Sequence, residues 1–322
     1  MRFPAELRAA VDAVTAEIPH FELARAAAEL SVAYRGSNPC TRMDSNTKLG
    51  AYLQVRMPAT FAAAGRVFNE IAVRFPEWQP RSMLDLGAGP GTAMWAAAEV
   101  FPSIQSFTLL EKDAAMCSAG ERLAKASSTE AIRQASWRQG DLAQMPRSKT
   151  DLIVMSYVLG ELTTDAQRAA IESARAHAGD LLVIISPGTP VDFQTVLAAR
   201  QQLLGAGMHI LAPCPHEVEC PMASANDWCH FSQRLERSSE HRKLKGAELG
   251  YEDEKFSYLI ASRTAHEQVS GRIVRHPLKY AGHVKLHLCT GSGLKQSTIT
   301  KSQRKLYRKA RRAEWGDVWS EE

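Results

Sequence analysis

Four of the six cysteines are spaced as ligands rather than as packing residues. Cys214, Cys220 and Cys229 fall within sixteen residues, and Cys289 follows sixty residues later. Three thiols in a stretch without hydrophobic periodicity need something to hold them. Four thiolates suit tetrahedral zinc or an iron–sulfur cluster, both of which take soft sulfur ligands. Zinc ribbons grip with closely spaced cysteine pairs, and none occurs here; wide, uneven spacing tilts the reading towards a larger cubane. His209, His216 and His230 could each replace a thiolate in a zinc site, so spacing alone leaves metal and ligand set open. Cys40 and Cys117 stand alone, and Cys117 reads as packing.

A second motif is a glycine loop, Asp85-Leu86-Gly87-Ala88-Gly89-Pro90-Gly91. Gly87 and Gly89 let the chain turn sharply and let a ligand touch bare backbone. The helix expected beyond Gly91 offers free N–H groups and a positive dipole end. Glu111 ends the next apolar run twenty residues past Gly91, where a carboxylate could take ribose hydroxyls. Pro90 suits a tight pyrophosphate grip poorly. Glu161 could act as a base but reads better as an exposed helix-start carboxylate. No residue is assigned as catalytic.

These motifs need elements to hold them. Residues 1–33 and about 46–75 have helical apolar spacing, the second stretch with Pro58 inside it as a candidate kink. Five short apolar runs follow: SMLDLGAG, SFTLLEKD, ASWRQGD, DLIVMSYV and DLLVIISPG. Helix-length Ala-rich stretches separate several of them, which predicts a doubly wound parallel sheet. A helix is expected over about 191–206, strands over 254–263 and 282–290, and a basic helical tail over 295–322. The expected organisation is a helical region (1–78), an α/β core (79–190), a helix with a Cys-rich insertion (191–253), returning strands (254–290) and a basic tail (291–322).

Composition sets limits. With 45% hydrophobic and 23% charged residues the 322-residue chain is an ordinary globular one. No apolar run approaches the ~20 residues of a membrane span, so no membrane partner is expected. The N-terminus lacks a signal core and an import pattern, which predicts a soluble, cytoplasmic bacterial protein. The net charge of +4 hides a split: residues 263–312 carry thirteen Lys/Arg against Glu267, a segment at +12 beside a remainder at −8. Interleaved Thr290, Ser292, Ser297, Thr298 and Thr300 add hydroxyl donors, and together they point to a polyanion such as nucleic acid.

From Asp85 to Leu142 the motifs resemble those of class I S-adenosylmethionine-dependent methyltransferases. The resemblance implies that Asp85, Gly87, Gly89 and Gly91 hold the amino acid end of the cofactor. It places Glu111 on the ribose and Asp141, within Gly140-Asp141-Leu142, by the adenine. The Asp/Asn-Pro-Pro-Tyr/Phe motif of amino-group methyltransferases is absent from the fourth strand, which ends Ser156-Tyr157-Val158. The cysteine motifs of cytosine-C5 enzymes and of radical enzymes are absent too.

Ala212-Pro-Cys-Pro-His216, Cys220-Pro221, Trp228-Cys-His-Phe231 and Glu254-Lys-Phe-Ser-Tyr258 add a narrower resemblance, covering about 45–312. They are similar to the methyltransferase-like assembly factors of the mitochondrial small ribosomal subunit and their bacterial relatives. That resemblance implies a four-iron, four-sulfur (4Fe–4S) cluster on Cys214, Cys220, Cys229 and Cys289, with zinc as the alternative. It also implies contact with small-subunit rRNA in the assembling subunit. Two functions follow: methyl transfer to that rRNA, or a non-catalytic factor that binds it.

Overall fold

The computed structural model describes residues 2–33, 43–146, 148–225 and 227–321, so Cys40 lies outside the described residues. The chain forms two compact units, Met1–Ile185 with Gln233–Glu254 and Ser186–Ser232 with Lys255–Glu322.

The first unit opens with α1 (Ala5–Thr15), α2 (His20–Ala33) and α3 (Asn46–Ala51). Leu7 and Val11 of α1 and Leu23, Ala26, Ala27 and Leu30 of α2 lie at helical spacing and are buried. Ser45 caps α3 by accepting the Lys48 N–H. In place of one helix kinked at Pro58, α3 runs into a π-helical turn, Tyr52–Arg56. Helix α4 (Met57–Arg74) then restarts with Pro58 in its first turn. Proline lacks the N–H a continuing helix needs, and the widened turn carries the chain past it without a break.

Next come β1 (Ser82–Leu86), α5 (Thr92–Val100), β2 (Ser106–Glu111), α6 (Ala114–Lys125), α7 (Glu130–Arg133) and β3 (Ser136–Gln139). The α/β alternation ends with β4 (Thr150–Ser156), α8 (Thr164–His177) and β5 (Ala178–Pro187). These strands pair in the order β3-β2-β1-β4-β5, all parallel, as the alternating pattern predicts. The near-continuous burial of β1, β4 and β5 is that of strands covered on both faces. The order reverses between β1 and β4, and ligands of such sheets sit at the carboxyl ends beside that reversal.

The second unit begins in the last residues of β5 and continues into α9 (Pro190–Gly205), capped by Thr189. Within the segment where no periodicity was legible lie β6 (His209–Ala212), α10 (Pro221–Ser224) and the start of β7 (Phe231–Glu236). The chain then re-enters the first unit for α11 (Ser239–Leu244) and leaves it again within β8 (Tyr251–Ser262), which pairs antiparallel with β6. Strands β9 (Gly271–Ile273), β10 (Leu278–Lys279), β11 (His283–Thr290) and β12 (Gly293–Thr300) build a small antiparallel sheet. With α12 (Arg304–Arg312) it encloses Ile273, Val284, Leu286, Leu288, Ile299, Ala310 and Trp319.

The C-terminal segment therefore differs from a basic helical tail. Gly293, at φ +108°, closes a turn that only glycine adopts readily, and β-branched Thr298, Ile299 and Thr300 then favour a strand. Only Arg304–Arg312 is helical, and Trp319 is buried in the core.

Candidate functional site

In the first unit a cleft opens at the carboxyl ends of β1, β2 and β4. Its walls include Asp85, Gly87, Gly89, Glu111, Asp141 and Glu161. Asp85 is centred between Leu109 of β2 and Val154 of β4. The Gly87 and Ala88 N–H groups donate to the Leu110 carbonyl at 2.8 and 3.1 Å, and Gly91 N–H donates to Ala88 O at 2.9 Å. Gly87, Gly89 and Gly91 all have positive φ, so the turn is closed to other residues without strain.

The three glycines do different work. A Cβ on Gly87 would stand 2.3 Å from Val158 Cγ2, and one on Gly91 3.1 Å from Met94 Cε and Trp137 Cη2. Those two glycines serve packing. A Cβ on Gly89 would meet only the Tyr52 hydroxyl, at 3.9 Å, so this is the position where bare backbone faces open space. Gly91 does not line the cleft.

Glu111 holds the loop: its carboxylate accepts the Gly89 and Asp113 N–H groups, each at 2.8 Å. Asp113 caps α6, and Asp141 accepts the Ala143 N–H at 3.0 Å. Asp85 has neither constraint. It is 1% exposed, and both its carboxyl oxygens are buried without a hydrogen-bond partner. Burial, and then the nearby Glu111 charge, push its carboxyl up to about 8. Burial raises Glu111 as well, against the pull of its two amide donors. A buried carboxyl with no internal partner calls for a cationic or hydrogen-bonding ligand.

The opposite wall was not legible in the sequence. It comes from the π turn, which presents Tyr52 and Arg56, and from Tyr157 at the end of β4. Tyr157 adopts φ +59°, a left-handed conformation costly for a bulky residue. Its hydroxyl donates to Glu254 at 3.0 Å, and Arg56 forks onto the same carboxylate at 3.1 and 3.3 Å. Burial, with Glu254 beside it, holds the Tyr157 phenol well above its ordinary range, so it stays protonated. Glu161, in a short 3-10 turn, pairs with Lys112 at 3.0 Å. Cys117 is buried on α6, as a packing residue should be.

In the second unit Cys214, Cys220, Cys229 and Cys289 line one cavity. They arrive from separate places. Cys214 follows β6, Cys220 caps α10, Cys229 precedes β7 and Cys289 lies on β11. All four are free thiols, and Cys220, Cys229 and Cys289 pack with Phe193, Leu197, Met222 and Val274. Ser257 fixes the Cys229 carbonyl at 2.8 Å. Burial pushes the Cys214, Cys229 and Cys289 thiols up, Cys229 well above its ordinary value and Cys289 to about 12, so with nothing bound these three are neutral. Of the three histidines only His216 lines the cavity, its Nε2 3.5 Å from Cys289 Sγ. Among the described residues no group of three or more His, Cys, Asp or Glu side chains is disposed to hold a metal ion.

The basic segment is smaller as a surface than as a count. Arg272 is 1% exposed, Arg275 pairs with Asp227, and Lys295 pairs with Glu321 at 3.4 Å. Lys305, Arg308 and Arg312 of α12 remain exposed.

A parallel sheet of this order, with a glycine turn after β1 and a carboxylate ending β2, defines a doubly wound α/β protein of the nucleotide-binding type. More narrowly, the chain belongs to the family described as mitochondrial small ribosomal subunit Rsm22, whose pattern matches residues 46–320. It is 32% identical over 288 residues to human "Ribosome assembly protein METTL17, mitochondrial", covering 83% of this chain and 61% of that one. It is 25% identical over 341 residues to fission yeast "Rsm22-cox11 tandem protein 2, mitochondrial", covering 87% and 44%. The chain thus spans less than two thirds of the length of either relative. Among solved structures it is similar to Synechocystis magnesium protoporphyrin IX methyltransferase with bound S-adenosylmethionine: TM-score 0.42, 15% identity, 64% and 80% coverage. No helix among the described residues is long and apolar enough to cross a membrane.

Proposed function

We propose that this protein binds S-adenosylmethionine in the cleft of its first unit and acts on small-subunit rRNA during assembly of that subunit. The observation that carries the reading is Asp85: a buried carboxyl with both oxygens unpartnered, beside the open backbone of Gly89. A ligand bearing an ammonium group and a sulfonium fits that wall, and Glu111 and Asp141 add acceptors for its hydroxyls and base. S-adenosylmethionine, when bound, supplies an electrophilic methyl group. Transfer from a sulfonium depends mainly on proximity and in-line orientation, so it does not require a dedicated base.

The Cys cavity completes the proposal, with a 4Fe–4S cluster on Cys214, Cys220, Cys229 and Cys289. A single zinc ion draws its sulfurs to within about 2.3 Å of one point. Four thiols lining one cavity support a group held by all of them. Its folding role would be to tie the segment from Cys214 to Cys229 to β11 and hence to the basic sheet.

A second reading, a non-catalytic assembly factor, is favoured by the β4 end: Tyr157 is locked onto Glu254 and Glu161 is engaged by Lys112. One experiment separates the two. The pure protein is incubated with immature small subunits and methyl-labelled S-adenosylmethionine, and labelled nucleotides are mapped. A labelled rRNA position establishes transfer. Binding of both partners without label leaves the assembly factor, and no S-adenosylmethionine binding in calorimetry removes the cofactor reading.

A further inference from the structure

We propose that Tyr280 and His283 form a stacking platform for an unpaired base of single-stranded RNA, on the open face of the β10–β11–β12 sheet. The proposal rests on the rRNA reading above and narrows it to an unpaired stretch rather than a duplex.

The register assigns the faces. Side chains alternate along a strand, and paired residues share a face. Val284 and Leu286 of β11, with Ile299 opposite Val284, are turned into the core shared with α12. His283 and Lys285, with their β12 partners Thr300 and Thr298, therefore lie on the other face. On β10, Leu278 pairs with Lys285, and the Tyr280 N–H donates to His283 O at 2.9 Å, so both residues join that face. None of these six side chains is acidic.

At the turn between β10 and β11 the Tyr280 and His283 rings stack, with centroids 4.7 Å apart and planes 21° from parallel. Neither ring belongs to the enclosed core, and Tyr280 is 46% exposed. An aromatic placed there contributes little to packing and leaves surface for one more ring. The turn is braced from α12 and the end of β12. Arg311 donates to Tyr280 O and Tyr307 to Ala281 O, both at 3.4 Å, and the Lys301 N–H donates to Gly282 O at 3.1 Å. The platform is thus set before a ligand arrives, with the Arg311 guanidinium at its edge.

Lys279 and Lys301 are exposed beside this turn, and neither they nor Lys285 is engaged by a carboxylate among the described residues. Cations and hydroxyls by themselves suit any phosphate backbone, paired or not. The exposed ring pair is what singles out an unpaired strand, whose bases have free π faces; in a duplex those faces are covered by neighbouring pairs. An acidic protein segment would answer the cations and leave the rings unused.

The test uses the full chain and two probes: a single-stranded oligoadenylate of about ten nucleotides and an RNA duplex of similar length. Dissociation constants are read by fluorescence anisotropy. Tyr280→Ala should weaken single-strand binding about tenfold and leave duplex binding unchanged. Tyr280→Phe keeps the ring and should retain wild-type affinity. Wild-type affinity of Tyr280→Ala for the single strand overturns the proposal, as does an equal loss on both probes or a Phe variant as weak as the Ala one. Should Tyr280→Ala fail to fold, Tyr280→Leu decides, because it keeps apolar bulk without a ring face: weakened single-strand binding supports the platform, and wild-type affinity overturns it. Wild-type protein that binds immature small subunits but not the oligoadenylate overturns this proposal alone. Protein that binds neither removes the rRNA reading with it.

Discussion

The cleft of the first unit and the cavity of the second are built on opposite principles. The cleft is made mostly from contiguous motifs at the ends of adjacent strands, and its charged wall is dominated by carboxylates: Asp85, Glu111, Asp113, Asp141 and Glu161. The cavity is gathered from chain segments as far apart as Phe193 and Cys289, and its permanent charges are the guanidiniums of Arg200 and Arg272. One wall is acidic, and the other is thiol-lined with buried guanidiniums. The lesson is that the sign of a buried site's wall narrows its ligand even where no ligand motif is complete.

The contrast breaks first at the thiols. Single Ser substitutions of Cys214, Cys220, Cys229 or Cys289 should abolish the broad visible absorption of anaerobically purified protein and take iron from about four per chain to none. Cys117→Ser should leave both unchanged. Colourless wild-type protein holding one zinc would make the cavity a structural zinc site.

Within the cleft, Gly89→Val should eliminate S-adenosylmethionine binding in calorimetry, because the side chain fills the open approach. Gly87→Ala should destabilise the fold further than Gly89→Val, by about 1–3 kcal/mol, because it adds a clash with Val158 to the left-handed strain both positions share. Thermal denaturation of both variants tests that division. Equal loss of stability would show that Gly89 packs as Gly87 does.

Asp85→Asn sharpens the charge argument. It should weaken cofactor binding by about 1–3 kcal/mol, the loss of a charge-assisted contact, read as the calorimetric dissociation constant. It should also change how the free protein responds to pH. The Asp85 carboxyl rises from 3.8 to about 8 on folding, so between those values the native state holds a proton that the unfolded chain has lost. This carboxyl's contribution to stability therefore falls as pH rises from about 4 to about 8 and levels off above. The Asn variant should lack that part of the decline; Tm–pH profiles that coincide would exclude it.

The smallest effect is expected on the basic helix α12. Lys305, Arg308 and Arg312 changed to Gln should each lower the log–log salt slope of rRNA binding by about 0.7–0.9. Substitution is the cleaner test here, since deleting residues 295–322 would also remove β12, α12 and the core residue Trp319. An unchanged slope would assign those charges to solvent.

What the sequence makes legible follows from how local each signal is. The strand–loop–helix around Asp85 and the carboxylate at Glu111 need only neighbours in the chain, so the parallel sheet and most of the cleft could be read directly. Tyr52, Arg56 and Tyr157 could not be. Two are aimed by a π turn and one by a left-handed residue, and neither irregularity has a short-range signature. In the second unit the cysteines announced themselves by type and spacing. Arg272 did not, because in the sequence it is one more cation in a basic run. Strands β6 and β9 were missed because four and three residues are too few to show alternation.

The π turn at Tyr52–Arg56 has a consequence for how this helix could evolve. A π turn holds one more residue than the α turn it replaces, so it amounts to a single-residue insertion absorbed in place. Removing one residue from Tyr52–Arg56 should close the turn into ordinary helix while leaving both flanks in phase. The shortened protein would then hold a straighter and more stable helix, with the Tyr52 and Arg56 side chains turned away from the cleft. On that view the cleft wall and the helix compete for the same residue.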